Sequence, residues 1–166
     1  YSREKMMMVK ALGAELVVLP ESAGMDGAVA HTEELARHIP GAFLSRQYDN
    51  EDNPGTHAAT TAEEIWEQME GRVDGEAISA GSGGTFTGTV RRLKELNPAL
   101  KAACVQPVGS CYGGKPVGHW AVEGIGSTYV PKVLDLDLAD CILDVSDADS
   151  LATARELIEK EGCLVG

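Results

Sequence analysis

Apolar positions recur along this chain with two periods, and the places where one period gives way to the other predict the order of elements. Met6, Val9 and Leu12 share one stripe of a helix over residues 2 to 12, with Gly13 placed to end it. Glu15 to Leu19 then reads as a strand. A second helix is predicted from about Asp26 to His38, with Ala28, Val29, Thr32, Leu35 and Ala36 on its inward side. A turn containing Gly41 leads into residues 42 to 48. Asp49 to His57 is polar and holds Pro54, which predicts a structured loop. Thr61 and Glu64 then stand at capping-box spacing ahead of Ile65, Trp66 and Met69, the apolar side of a third helix.

In the second half the alternation sharpens. Ala77 to Ala80 is a short apolar strand signal, interrupted on its upstream side by Gly75 and Glu76. Phe86, Val90 and Leu93 fall at helical intervals that Asn97-Pro98 ends. Ala102 to Gln106 predicts a strand, and Pro107 to Gly118, with four glycines and two prolines, predicts a loop. Ala139 to Val145 is a further strand. Ser146 with Asp149 opens a helix whose Leu151, Ala154 and Ile158 are expected to face inward and which Gly162 ends. Strands alternating with helices of this length predict an α/β fold: an open, mainly parallel sheet with helices on both faces.

Composition narrows the partners. The chain has 166 residues, 43% of them apolar, and a net charge of −12, which argues against nucleic acid or an anionic membrane as partner. No apolar run reaches membrane or signal-peptide length, so a cytoplasmic protein is expected. Cys104, Cys111, Cys141 and Cys163 form no CxxC or Cys/His spacing, so no metal site is expected and they read as buried free thiols. His31, His38, His57 and His119 share no metal-binding spacing and read as surface or packing residues.

Between the strand signal at 77–80 and the following helix lies Gly81-Ser82-Gly83-Gly84-Thr85-Phe86-Thr87-Gly88. Glycines there let backbone N–H groups converge on an anion at a helix N-terminus, and Ser82 and Thr85 add hydroxyls. The run lacks the Gly-Lys-Ser/Thr of a Walker loop and has Phe86 where a dinucleotide fingerprint needs glycine. On the loop alone, a phosphate cradle and a plain strand-to-helix turn both remain open.

Further segments stand in a defined order around that run: Ser2-Glu4-Lys5 and residues 11–15; Gln47-Tyr48-Asp49-Asn50 with Asn53-Pro54, His57 and Thr60-Thr61 to Ile65; then Val122-Glu123-Gly124-Ile125-Gly126 with Tyr129-Val130-Pro131 and Leu134-Asp135; and Glu161-Gly162. With the cradle they resemble the cysteine synthase and cystathionine β-synthase family of pyridoxal-phosphate enzymes, over essentially the whole chain. The resemblance implies fold type II, the tryptophan synthase β-like architecture of two α/β domains. Residues 1–45 would be part of the smaller N-terminal-type domain and 46–166 part of the larger, cofactor-phosphate-binding one. It further implies that Gly81, Ser82, Gly83, Gly84 and Thr85 hold the phosphate of pyridoxal 5′-phosphate, that Gln47 lies near the substrate carboxylate, and that Gly124 lines the pocket. Without the family, Gln47 reads as a loop amide and Gly124 as a turn.

The family's Schiff-base lysine, its asparagine loop and the Ser/Thr at the pyridine nitrogen match no position here, so no catalytic residue is expected in these 166 residues. Together with an opening inside a helix and an apolar stub at Cys163 to Gly166, this reads as a fragment. For the parent protein the resemblance implies β-replacement on small amino acids. Cystathionine β-synthase activity, serine with homocysteine, is favoured by Tyr48, residues 61–65, Pro107-Val108-Gly109-Ser110 and Val122-Glu123. The alternative is cysteine synthase, O-acetylserine with sulfide, and Ser127-Thr128 fit neither pattern. A homodimer is implied. A reading of another class is a noncatalytic binder of phosphorylated metabolites or a partner subunit.

Overall fold

A computed structural model describes residues 2–165 of the chain. They form two compact units that part between Ser45 and Arg46.

In the first unit, helix α1 spans Arg3–Ala11. Ser2 caps it, its hydroxyl accepting from the Lys5 N–H at 3.4 Å, and Gly13, at a φ of 86°, turns the chain away. The predicted stripe is open to solvent in its lower half, with Leu12 81% exposed. Residues 15–19 are irregular, which corrects the predicted strand. A strand exists through its ladder bonds, and no other strand among the described residues of this unit offers them. Leu16, Val17, Val18 and Leu19 instead line an open pocket with Lys5, Met6 and Val9. After a 3₁₀ turn at Glu21–Ala23, helix α2 runs over Gly24–His38. Its Val29 and Leu35 are exposed, so the inward side expected there is not covered in this unit.

The second unit carries the sheet. Strands β1 (Gly75–Ser79), β2 (Lys101–Pro107) and β3 (Cys141–Val145) are parallel, in the order β1-β2-β3, with Ala77 opposite Ala103 and Ala103 opposite Cys141. Gly75 and Glu76 therefore belong to the strand that they were expected to interrupt. Helix α5 (Gly84–Leu96) crosses from β1 to β2, and its Phe86, Val90 and Leu93 are fully buried with Ala102 and Cys104. Each of the larger side chains contributes about 1.5–3 kcal/mol of burial free energy. Ala77, Ser79, Cys141 and Leu143 on the other face are exposed within the described chain.

Two short helices, α3 (Asp52–Ala59) and α4 (Thr61–Gln68), pack on α5. Helix α3 replaces the expected loop. Pro54 falls in its first turn, where backbone N–H groups have no intrahelical acceptor and a missing donor does no harm. The approach of α3 to α5 requires Gly88, because a Cβ there would fall on the Pro54 carbonyl and 2.9 Å from His57 Cβ. The capping box expected at Thr61 and Glu64 does not form. Thr61 shares its hydroxyl with His57 Nδ1 at 2.9 Å, and the capping position is taken by Thr60, whose hydroxyl donates backward to the Thr56 carbonyl. Ile65 and Trp66 pack against the core, while Met69 is exposed.

At the amino end of the sheet, Asp140 accepts from Lys101 Nζ at 2.8 Å, from the Ala102 N–H at 2.9 Å and from Lys94 Nζ at 3.0 Å. These bonds tie α5, β2 and the approach to β3, and they hold the carboxyl well below the usual carboxylate range. Helix α6 (Asp147–Glu161) starts at Ser146, whose hydroxyl accepts from the Asp149 N–H, and ends at Gly162 with φ 68°. Its Leu151 and Ile158 are exposed, against the inward orientation expected. Of the cysteines, Cys104 is buried and Cys111 half-buried, whereas Cys141 and Cys163 are exposed, which corrects the expectation of four buried thiols. Among the described residues no helix is long and apolar enough to cross a membrane.

Candidate functional site: a glycine turn at the N-terminus of helix α5

Strand β1 ends at Ser79, and Ala80 makes one more sheet bond, its N–H donating to the Val105 carbonyl at 3.0 Å. The chain then leaves the sheet at the carboxyl end of a parallel strand, the edge where open α/β sheets take their ligands. Gly83 is the residue before α5, at a φ of 91° that side-chain-bearing residues rarely adopt, and no side chain caps the helix. The first-turn N–H groups of α5 thus face outward uncapped, at the positive end of the helix dipole.

The walls of the turn are close. A Cβ on Gly81 would lie 2.5 Å from the Gly124 carbonyl oxygen, one on Gly83 would lie 2.5 Å from Leu134 Cβ, and one on Gly84 would fall on the Asn53 amide. Asn53 Nδ2 donates to the Gln47 carbonyl at 2.6 Å and to Ser82 Oγ at 3.2 Å, so one amide fastens the segment of Gln47 to the turn. Thr85 Oγ1 lies 3.1 Å from His57 Nε2, and His57 Nδ1 meets Thr61. The Gly126 N–H donates to the Ala80 carbonyl at 2.8 Å, which lays the loop of Gly124 against the turn. Tyr112, buried, donates its hydroxyl to the Gly81 carbonyl at 2.5 Å. Burial chiefly, and Cys111 beside it, push that phenol well above its ordinary range, so it is a fixed donor at neutral pH.

The sequence-predicted residues therefore meet. Gly81, Ser82, Gly83, Gly84 and Thr85 form the turn, Gly124 roofs its first residue, and Gln47, an exposed residue, is linked to it through Asn53, which bonds its carbonyl. Sequence reasoning gave no role to Asn53 or Tyr112 and read His57 as packing. For Asn53 and His57 the signal was their i, i+4 spacing on what proves to be a helix. Tyr112 stands in an aperiodic loop and gave none. The lysines 94, 101, 115, 132 and 160 each pair with a carboxylate.

A turn of glycine amides with two hydroxyls at a helix start fits a phosphate monoester, and a bulkier residue at 81, 83 or 84 would close it. Fold and turn together define a parallel α/β domain with a glycine turn at an uncapped helix start. Over residues 1–166 the chain matches the family described as "Pyridoxal-phosphate dependent enzyme", and it belongs to that family. It is 40% identical over 167 residues to the "O-acetylserine dependent cystathionine beta-synthase" of Bacillus subtilis, covering 100% of this chain and 54% of that protein. It is 38% identical to a "Cysteine synthase" of Helicobacter pylori, again over 100% of this chain and 54% of the relative. The crystal structure of an O-acetylserine dependent cystathionine beta-synthase from Helicobacter pylori superposes with a TM-score of 0.94 at 38% identity, covering 99% of this chain and 54% of that one. The chain thus spans about half the length of these relatives. Members of the family use pyridoxal 5′-phosphate, and the fold is the corresponding part of the type II architecture.

Proposed function

We propose that the polypeptide carrying this chain is a pyridoxal-phosphate-dependent β-replacement enzyme of sulfur amino-acid metabolism, a cystathionine β-synthase that joins serine or an activated serine to homocysteine. The observation that carries the reading is the uncapped start of α5, walled by Asn53, Gly124 and Leu134, which suits a phosphate and leaves no room for side chains. The names of the relatives support the choice of reaction. Cysteine synthase activity, with sulfide as acceptor, is the second reading, supported by the relatives of that name.

In this proposal the N–H groups of residues 81–85 and the hydroxyls of Ser82 and Thr85 hold the cofactor phosphate, Gly124 lines the pocket, and Gln47 lies beside the substrate carboxylate. When bound, the cofactor supplies the electron sink for chemistry at an amino-acid α-carbon. This chain contributes orientation: anchoring the phosphate end sets where the reactive end lies. His57 bonds the Thr85 hydroxyl and limits its rotation, and Asn53 does the same for Ser82. The covalent step belongs to residues outside this chain. A homodimer in the cytoplasm, handling small amino acids and a thiol or sulfide, completes the proposal.

The test is product identity. The full-length protein is supplied with serine or O-acetylserine, each with homocysteine or sulfide, and products are resolved by mass spectrometry. Cystathionine as the dominant product supports the main reading and cysteine the second. A cofactor-loaded protein that forms neither contradicts both.

A further inference from the structure

Gly81 opens the cradle as the first residue beyond the sheet bond of Ala80. Something must hold it if the amides after it are to keep their aim. Its carbonyl is taken by the Tyr112 hydroxyl, from a loop that returns from β2, while the Gly124 carbonyl stands against its Cα. The bond does not end at the phenol. The Tyr112 N–H donates to Gln106 Oε1 at 2.9 Å, and Gln106 Nε2 donates to Asp144 Oδ1 at 2.7 Å. Gln106 is 1% exposed, so both ends of its amide are satisfied inside the protein. The other oxygen of Asp144 pairs with Lys115.

The path is built by the sheet. Gln106 and Asp144 are register partners on β2 and β3, which puts their side chains on one face at the carboxyl end. Gly113 allows the closeness, since a Cβ there would stand 2.9 Å from Gln106 Nε2. Lys115 first, and then the Gln106 amide, hold the Asp144 carboxyl below its ordinary range, so the charged end persists through neutral pH.

We infer that Tyr112 is a positioning residue for the cofactor phosphate: its hydroxyl, bonded to the Gly81 carbonyl, ties the cradle through buried Gln106 to the Asp144–Lys115 pair at the surface. The inference rests on the reading of the turn as a phosphate site. The Tyr112 hydroxyl bonds the Gly81 carbonyl; it orders the residue from which the cradle amides are suspended, and this lowers the conformational loss on binding. The loop of Tyr112 also bonds the 124–127 loop, the Cys111 N–H donating to the Ser127 carbonyl at 3.0 Å. One strap thus sets two walls of the site.

The experiment uses the full-length protein, its Tyr112→Phe variant and its Gln106→Met variant, which keeps side-chain volume while releasing Tyr112 from Asp144. Dissociation constants for pyridoxal 5′-phosphate and for phosphate-free pyridoxal are measured by equilibrium dialysis, and the bound phosphate is observed by ³¹P NMR. Tyr112→Phe is expected to weaken binding of the phosphorylated form about tenfold, the worth of one buried hydrogen bond. It should shift or broaden the ³¹P resonance and leave pyridoxal binding unchanged. Gln106→Met should move the same quantities in the same direction. Wild-type affinity in both variants, or equal losses for pyridoxal and its phosphate, would overturn the inference while the cradle reading stands. Wild-type protein that binds no pyridoxal 5′-phosphate would overturn the cradle reading, and the strap with it.

Discussion

Glu76 is a carboxylate on the strand that leads to the cradle, and its Oε2 is buried without a hydrogen-bond partner. Burial raises its carboxyl from the ordinary 4.5 to about 7. Between those values the folded protein binds more protons than the unfolded chain, so stability falls as pH rises from about 4.5 to about 7 and stays at the lower level above. Glu76→Gln should therefore raise the thermal midpoint more at pH 8 than at pH 5; equal shifts at the two pH values would contradict this. Cys104 is the complementary case. It is buried, its thiol pushed up to about 11, and it should resist a thiol reagent at pH 8 until the protein unfolds, as peptide mass spectrometry after labelling would show. At this scale the sequence was legible where identity alone sets behaviour. The glycines of the turn at 81–84 and the capping Ser146 are such residues. It was not legible where a partner far along the chain decides: Asn53 meets Ser82 across 29 positions and Tyr112 meets Gly81 across 31. Nothing local marks either pair.

Helix α5 is the element on which fold and site both depend. Its inner face, Phe86, Val90 and Leu93, was readable from the 3.6-residue period because one side of it is buried throughout. Phe86→Ala should cost about 3–5 kcal/mol in denaturant unfolding, the usual range for emptying such a position. The other side of α5 meets α3 at Gly88, where Gly88→Ala should cost about 1–3 kcal/mol through overpacking against the Pro54 carbonyl, read as a lower urea midpoint. Helix α3 itself was hidden, since a proline inside a polar run signals a loop unless it happens to fall in a first turn. Residues 15–19 failed in the opposite sense. Their composition suits a strand, but pairing is a property of neighbours, and composition cannot supply them. The exposed apolar side chains of α2 and α6 have the same origin: periodicity reports which side seeks cover, not whether these residues provide it.

For the whole molecule, a net charge of −12 is compatible with the proposed anion site, because backbone dipoles act over a few ångströms while distant carboxylates are screened. The parallel sheet, and a glycine turn between a strand and the helix after it, followed from the alternation of elements. The architecture around them came from family resemblance, which the match over residues 1–166 establishes. The central claim is that residues 81–85 hold the phosphate of the cofactor, and its most direct measurement is the affinity of the full-length protein for pyridoxal 5′-phosphate against that for pyridoxal. Two charge-assisted hydrogen bonds to the cradle predict a preference of about 100-fold or more for the phosphorylated form. Equal affinity for the two would contradict the account.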